Sequence, residues 1–331
     1  MAAIIRKELA DYFSGIRAVL LLLMVLLVCI TTFYADQQIR GSGSGSYLFI
    51  SLFVTQIQNT PSMIGDSSFI GLMASYFIPL IGIALGFNAI NSERSNRTLS
   101  RLVSQPIYRD SIINGKFLAG IIMMALSVIT AVLIVAGYGL ISFDLRGIGF
   151  NILGVGVPPP AAEEIVRLFL YVVTTVIYGG FWMALAILFS VIFKNVATSL
   201  LLAIIIWLFF TPLFWGNMIA PNIADAIAPI TGGTTAEQIR NSNLNLTLLR
   251  FSPNMLFGEA TQILLNPVYG SILNIFGAIA AGQSSLPMLN YLTLGQSLKS
   301  IWPHIVSLIS ISAVCFGISY VVFMKQEVRA A

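Results

Sequence analysis

Seven of the chain's thirty charged side chains fall within 24 residues: Glu93, Arg94, Arg97, Arg101, Arg109, Asp110 and Lys116. They interrupt an otherwise apolar sequence in the stretch NSERSNRTLSRLVSQPIYRDSIINGKF (91–117). Every basic group before Lys116 is an arginine. A guanidinium is planar, permanently charged and forked, which suits bidentate pairing with carboxylates on another surface. The chemistry on offer is recognition. Asn91 and Ser92 are N-cap types, and Pro106 stops a helix at about Gln105. Between them Leu99, Leu102, Val103 and Pro106 share one face, while Arg94, Arg97, Arg101 and Ser104 share another. Glu93 and Arg97 form an i,i+4 pair with the acid first. The spacing predicts a short amphipathic helix over about 92–105, with its basic side exposed. A basic inner loop is also what membrane topology alone requires, so composition leaves both readings open.

Other residues with chemical potential are few. His304 is the only histidine and follows Trp302-Pro303 at the start of an apolar run; an interfacial or capping role outweighs catalysis there. GSGSG (41–45) has glycine where a nucleophile elbow needs serine, and no His/Cys/Asp cluster has metal-ligand spacing. Cys29 and Cys315 lie inside apolar runs and read as neither disulfide nor metal ligands. Gly115-Lys116 lacks the upstream glycine and following hydroxyl of a phosphate-binding loop. The chain is therefore expected to be no enzyme, with no cofactor or metal of its own. Asn245-Leu246-Thr247 is a candidate external glycosylation sequon; Asn96-Arg97-Thr98 also matches but falls on the inner side.

The elements that hold these residues follow from composition. The 331 residues are 57% hydrophobic and 9% charged, with mean hydropathy +0.90, whereas about a quarter of residues are charged in soluble domains. This is an integral membrane protein, all-α, and reads as one domain over 1–331. Six spans can be drawn at about 18–35, 68–90, 112–142, 165–193, 197–219 and 303–324. They are helices, since a barrel would need short alternating segments. With the N-terminus inside, eleven Lys and Arg lie inside and six outside, against five and eight acidic residues. That asymmetry favours cytoplasmic N- and C-termini.

Before the first span, Ile5, Leu9, Tyr12, Phe13 and Ile16 share one helical face, predicting an amphipathic surface helix over about 1–16. Glu8 and Asp11 and the absence of a small-residue cleavage site argue against a signal peptide. GSGSGS (41–46) is a low-complexity piece, and GVGVPPPAAEE (154–164) is a stiff turn into span four. Residues 220–302 form a large external connection. Within it, NMLFGEATQILL looks helical, and 266–282 is read as an external interfacial or re-entrant helix. Pro79, Pro212 and Gly179-Gly180 could bend helices around a cavity, but helix packing explains them more simply. Trp207, Trp215 and Trp302 read as packing or interface aromatics.

ERSNRTLSRLVSQPIYRDSIINGKFLAG (93–120) resembles the signature joining spans two and three of ABC-2 type permeases. The matching positions are Glu93, Arg97-Thr98-Leu99, Leu102 to Arg109, and Gly115-Lys116-Phe117, with Arg97 where the family has glycine. The surface helix, the spans, FMKQEVRA (323–330 within the tail) and RFSPNMLFGEATQILLNP (250–267) fit as well. The resemblance implies a permease subunit, an exporter, in a bacterial or archaeal cell membrane. It makes 92–105 the coupling helix, seated on a separate ATPase through Glu93, Arg94, Arg97, Thr98, Arg101, Leu102, Gln105, Pro106 and Arg109. It further implies two ATPase subunits holding ATP and magnesium, a second permease copy or homologue, contact with membrane lipid, and no nucleic acid. The alternative is an ion-coupled secondary transporter, which would need ionisable residues near the bilayer midplane. Arg17, Lys116, Arg167 and His304 all fall at span ends instead.

Overall fold

The computed structural model describes residues 2–41, 69–95, 109–142, 161–230, 234–265 and 292–325, and among them every regular element is a helix. In chain order these are α1 (Ala2–Ser14), α2 (Ile16–Gly41), α3 (Phe69–Leu72), α4 (Ile78–Gly86), α5 (Asn91–Ser95), α6 (Arg109–Ser142), α7 (Ala161–Ile192), α8 (Val196–Phe209), α9 (Ala220–Ile227), α10 (Thr235–Leu249), α11 (Pro253–Leu265) and α12 (Leu294–Lys325). Two wider π-helical turns, Met73–Phe77 and Pro212–Ile219, interrupt the series. Four helices are long and apolar enough to cross a membrane: Ser75–Arg94, Asp110–Tyr138, Ile165–Ile192 and Leu294–Lys325. Two bent pairs, Ile4–Ser14 with Ala18–Tyr34 and Val196–Phe209 with Pro212–Ile227, raise the number to six if each is one span. GSGSGS, most of the 154–164 turn, 266–282 and residues 326–331 lie outside the described residues.

The outer surface is as apolar as the interior. Leu118, Ile122, Leu126, Ile129 and Leu133 form an exposed stripe along α6, and Val306, Ile309, Val314, Ile318 and Val321 do the same on α12. Exposed apolar stripes of this length are what a helix needs on the face it turns to an apolar surrounding.

α7 is the central post. Its buried ridge includes Tyr171, Tyr178, Trp182, Met183, Ala186 and Ser190, and α4 packs along it through glycines. A Cβ at Gly82 would stand 2.8 Å from the carbonyl oxygen of Gly179, and one at Gly86 would stand 2.7 Å from that of Met183. Small residues one turn apart let two backbones touch where lipid offers no hydrophobic driving force. The spacing Gly82-x-x-x-Gly86 stands in the sequence, so this seam was legible there. Gly179 belongs to the same contact and also faces Met124 of α6, while a Cβ at Gly180 would stand 3.1 Å from the Ile121 side chain of α6, which gives the pair a packing role.

The prolines mark the π turns. Pro79 has no N–H to return to the carbonyl of Ser75, four residues back. Trp207 of α8 fills the gap, donating its indole N–H to Ser75 O at 2.9 Å. At the second turn, the Thr211 hydroxyl donates to Leu208 O, the carbonyl that Pro212 leaves open, at 2.6 Å. The chain bends there by 44°. Farther on, Ser252 Oγ donates to Phe210 O at 2.9 Å, so the chain has returned to the level where α8 ended. α11 then packs into the bundle with Phe257, Ala260, Leu264 and Leu265 buried. The helical reading of NMLFGEATQILL holds, but this part of 220–302 is core rather than loop.

Candidate functional site

One end of the bundle gathers α1, the α4–α5 bend, the start of α6 and the α7–α8 turn. Lys116, about two turns into α6, is 5% exposed. Its Nζ lies 2.7 Å from Glu8 Oε1 of α1 and 2.8 Å from Glu93 Oε1 of α5. An ammonium can be taken out of water only when its donors meet charge and acceptors, and here two carboxylates supply both. Three elements far apart in sequence meet on one atom.

The start of the charged island is fixed by backbone bonds as well. Ser190 Oγ of α7 accepts from the amides of Ile90 and Asn91 at 3.0 and 3.2 Å. Asn91 Nδ2 donates to Asn195 O at 3.4 Å, and Ser199 Oγ donates to Phe87 O at 3.0 Å. The acceptor for the first amides of α5 thus comes from another span. Ser92 instead turns back to donate to Asn88 O at 2.7 Å. Glu93 and Arg94 are half-buried. Arg97, Thr98, Arg101, Leu102, Gln105 and Pro106 lie outside the described residues, and of Arg109 only the backbone, opening α6, is described.

α1 packs on α6 and reaches α4, where the Tyr12 hydroxyl donates to Leu85 O at 3.3 Å. Its buried ridge is Ile4, Glu8 and Tyr12, with Ile5 and Leu9 half-buried and Phe13 56% exposed. Arg6, Lys7 and Asp11 face outward. Sequence reasoning missed Glu8. The available signal was an acid on the same i, i+4, i+8 ridge as Ile4 and Tyr12, which asks for a buried cation.

The opposite end carries a second polar knot. Arg167 of α7 is fully buried. It pairs with Glu163 at 2.8 Å and donates to the carbonyls of Leu264 at 2.6 Å and Leu292 at 2.8 Å and to Ser297 Oγ at 3.1 Å. Nearby, Glu259 of α11 accepts from Arg250 Nε at 2.9 Å and lies 3.1 Å from His304 Nε2 of α12. Burial opposes the Glu259 charge, but His304 and Arg250 outweigh it and hold the carboxyl at about 2. His304 is buried among protein partners, which the interfacial reading did not anticipate. Asn245 is half-buried in the middle of α10. Among the described residues no group of three His, Cys, Asp or Glu side chains could hold a metal.

The described residues thus form helices with exposed apolar stripes and, at one end, the clamped start of a charged segment. A family model described as ABC-2 family transporter protein matches residues 2–328, and the chain belongs to that family. It is accordingly a multi-pass membrane permease of the ABC transporter class, a class that associates with an ABC ATPase. No curated protein gives a significant match to the sequence.

Proposed function

We propose that this permease is an exporter subunit coupled to a separate ATPase through the charged island that starts at α5, with both chain ends in the cytoplasm. Two copies of the permease, or one and a homologue, would enclose the translocation path, and two ATPase subunits would bind ATP and magnesium. ATP-driven closure of the ATPase pair would press on the island. The α4 and α6 helices on either side of it would carry the displacement into the membrane.

The observation that supports this reading best is the anchoring of Glu93 to buried Lys116. A lever has to be stiff where it enters the body it moves. The Ser190 bonds to Ile90 and Asn91 stiffen the same point from the side of α7. Among the described residues, the buried basic groups of the four long spans, Lys116, Arg167 and His304, each sit near a span end in contact with a charged protein group. Ion coupling asks for a group near the midplane that is free to bind the driving ion.

The test is charge reversal. Arg94→Glu with Arg101→Glu, in the chain reconstituted with its ATPase, is expected to abolish permease-stimulated ATP hydrolysis and transport while leaving the melting temperature in detergent unchanged. Unaltered coupling in that variant would remove the island from the mechanism. Labelling of cysteines placed in 96–105 by an impermeant reagent added to intact cells would place the island on the wrong side and end the reading.

A further inference from the structure

We infer that Lys116 is the positioning residue of the inner docking region, clamping Glu8 of the N-terminal helix and Glu93 of the island so that α1, α5 and α6 move as one body. The inference rests on the docking reading above and extends it: α1 becomes part of the lever.

Three observations carry it. The ammonium and both carboxylates are nearly out of water, with side-chain exposures of 6%, 11% and 12%, so solvent does little to screen the attraction. The pairs span 108 and 23 positions of sequence, which makes the contact tertiary and dependent on how α1 and α5 dock. The same elements are also fitted sterically: a Cβ at Gly115, the residue before Lys116, would stand 2.9 Å from the Ile4 side chain of α1. Arginine would be a poor substitute in this place, because its longer planar fork would have to fit where a compact ammonium sits between two acids.

The charge balance matters too. Two carboxylates share one ammonium, so deleting the cation leaves two buried like charges that repel each other without the ammonium that joined them. Removing all three charges leaves neither repulsion nor unpaired charge, and replacement of a whole buried ionic set by neutral groups is often tolerated. That difference separates a positioning role from a purely structural one.

The experiment compares four chains: wild type, Lys116→Met, the charge swap Lys116→Glu with Glu93→Lys, and the neutral triple variant Glu8→Gln, Glu93→Gln, Lys116→Met. The first readout needs no ATPase. In vesicles with the inner face accessible, trypsin cuts after exposed Arg6 and Lys7, and the rate reports how firmly α1 is held. Slow cutting is expected for wild type and rapid cutting for Lys116→Met; the swap restores the pair to the island but sets a carboxylate at 116 against Glu8, so α1 should stay rapidly cut. The neutral triple variant should melt like wild type yet cut faster. Equal rates in all four chains would overturn the clamp.

The second readout is ATP hydrolysis by the partner stimulated by each chain. Lys116→Met and the neutral triple variant should lose about tenfold, within the range of measured site-to-site couplings, while the ATPase still co-purifies. Loss of α1 protection with full stimulation would overturn the inference and leave the docking reading intact. Failure of any ATPase to co-purify with wild type would sink the docking reading, and the protease result alone would then decide the clamp.

Discussion

Glu259 accepts from Arg250 Nε at 2.9 Å and lies 3.1 Å from His304 Nε2. Burial taken alone would raise the carboxyl, yet the hydrogen bonds and charges of His304 and Arg250 bring it from 4.5 to about 2. A carboxyl whose folded value is depressed stabilises the fold above its unfolded value and loses that contribution as pH falls towards the folded one. The window here runs from 4.5 down to about 2. The Arg250 side chain is 52% exposed, so solvent screening limits the contribution to about 1–2 kcal/mol at neutral pH. Melting of the purified chain in detergent across this range is the check. Wild type should lose stability through the window, whereas Glu259→Gln should start lower at neutral pH and show a flatter acid limb. Parallel curves for the two chains would mean that the Arg250 and His304 contacts do not hold the carboxylate in solution.

At the scale of elements, the π turns and the glycine seam show what the sequence reveals and what it withholds. Pro79, Pro212 and the Gly82-x-x-x-Gly86 spacing are visible as letters, and each predicts a local event: a lost amide or a close approach. Their partners are invisible. Nothing in local spacing says that Trp207 will satisfy Ser75 O, or that Ser190 will receive the amides of Ile90 and Asn91, because such pairs depend on which spans become neighbours. Trp207→Phe keeps most of the packing and strands the Ser75 carbonyl, at about 1–3 kcal/mol. In a Pro79→Ala background the new amide at position 79 can bond that carbonyl, so the same substitution should cost clearly less. A double-mutant cycle on melting stability measures the difference; equal costs in both backgrounds would dissociate the indole from the proline. Along the seam, Gly86→Val must displace the α7 backbone, since even its first carbon would sit 2.7 Å from Met183 O. Overpacking of this kind costs about 1–3 kcal/mol, read as a lower melting temperature than wild type.

On the whole molecule, the polar groups collect at two ends and the apolar stripes run between them. The spans were legible because long runs of apolar residues have few other uses; four helices are long and apolar enough to cross, or up to six if each bent pair is one span. The island was legible as charge, but its clamp was not: Glu8 read as one more polar residue of a surface helix until α1 was seen packed on α6. How the chain runs between α11 and α12 turns on Arg167. Its one guanidinium holds the carbonyls of Leu264 and Leu292 at 2.6 and 2.8 Å, so the chain leaves after α11 and comes back before α12 at a single place. α11 also runs beside the start of α12 in the opposite sense, with Glu259 meeting His304 while Leu264 lies at the level of Ser297. Cysteines at Gln262 and Gln296, introduced singly after replacing Cys29 and Cys315, should therefore react with an impermeant maleimide from the same side of the membrane. A cysteine at Lys325, the last residue of α12, should react from the other. Reaction of Gln262 and Gln296 from opposite sides would break the Arg167 knot and, with it, the proposal that the part of α12 where Phe316 packs on Phe117 beside Lys116 lies towards the inner face.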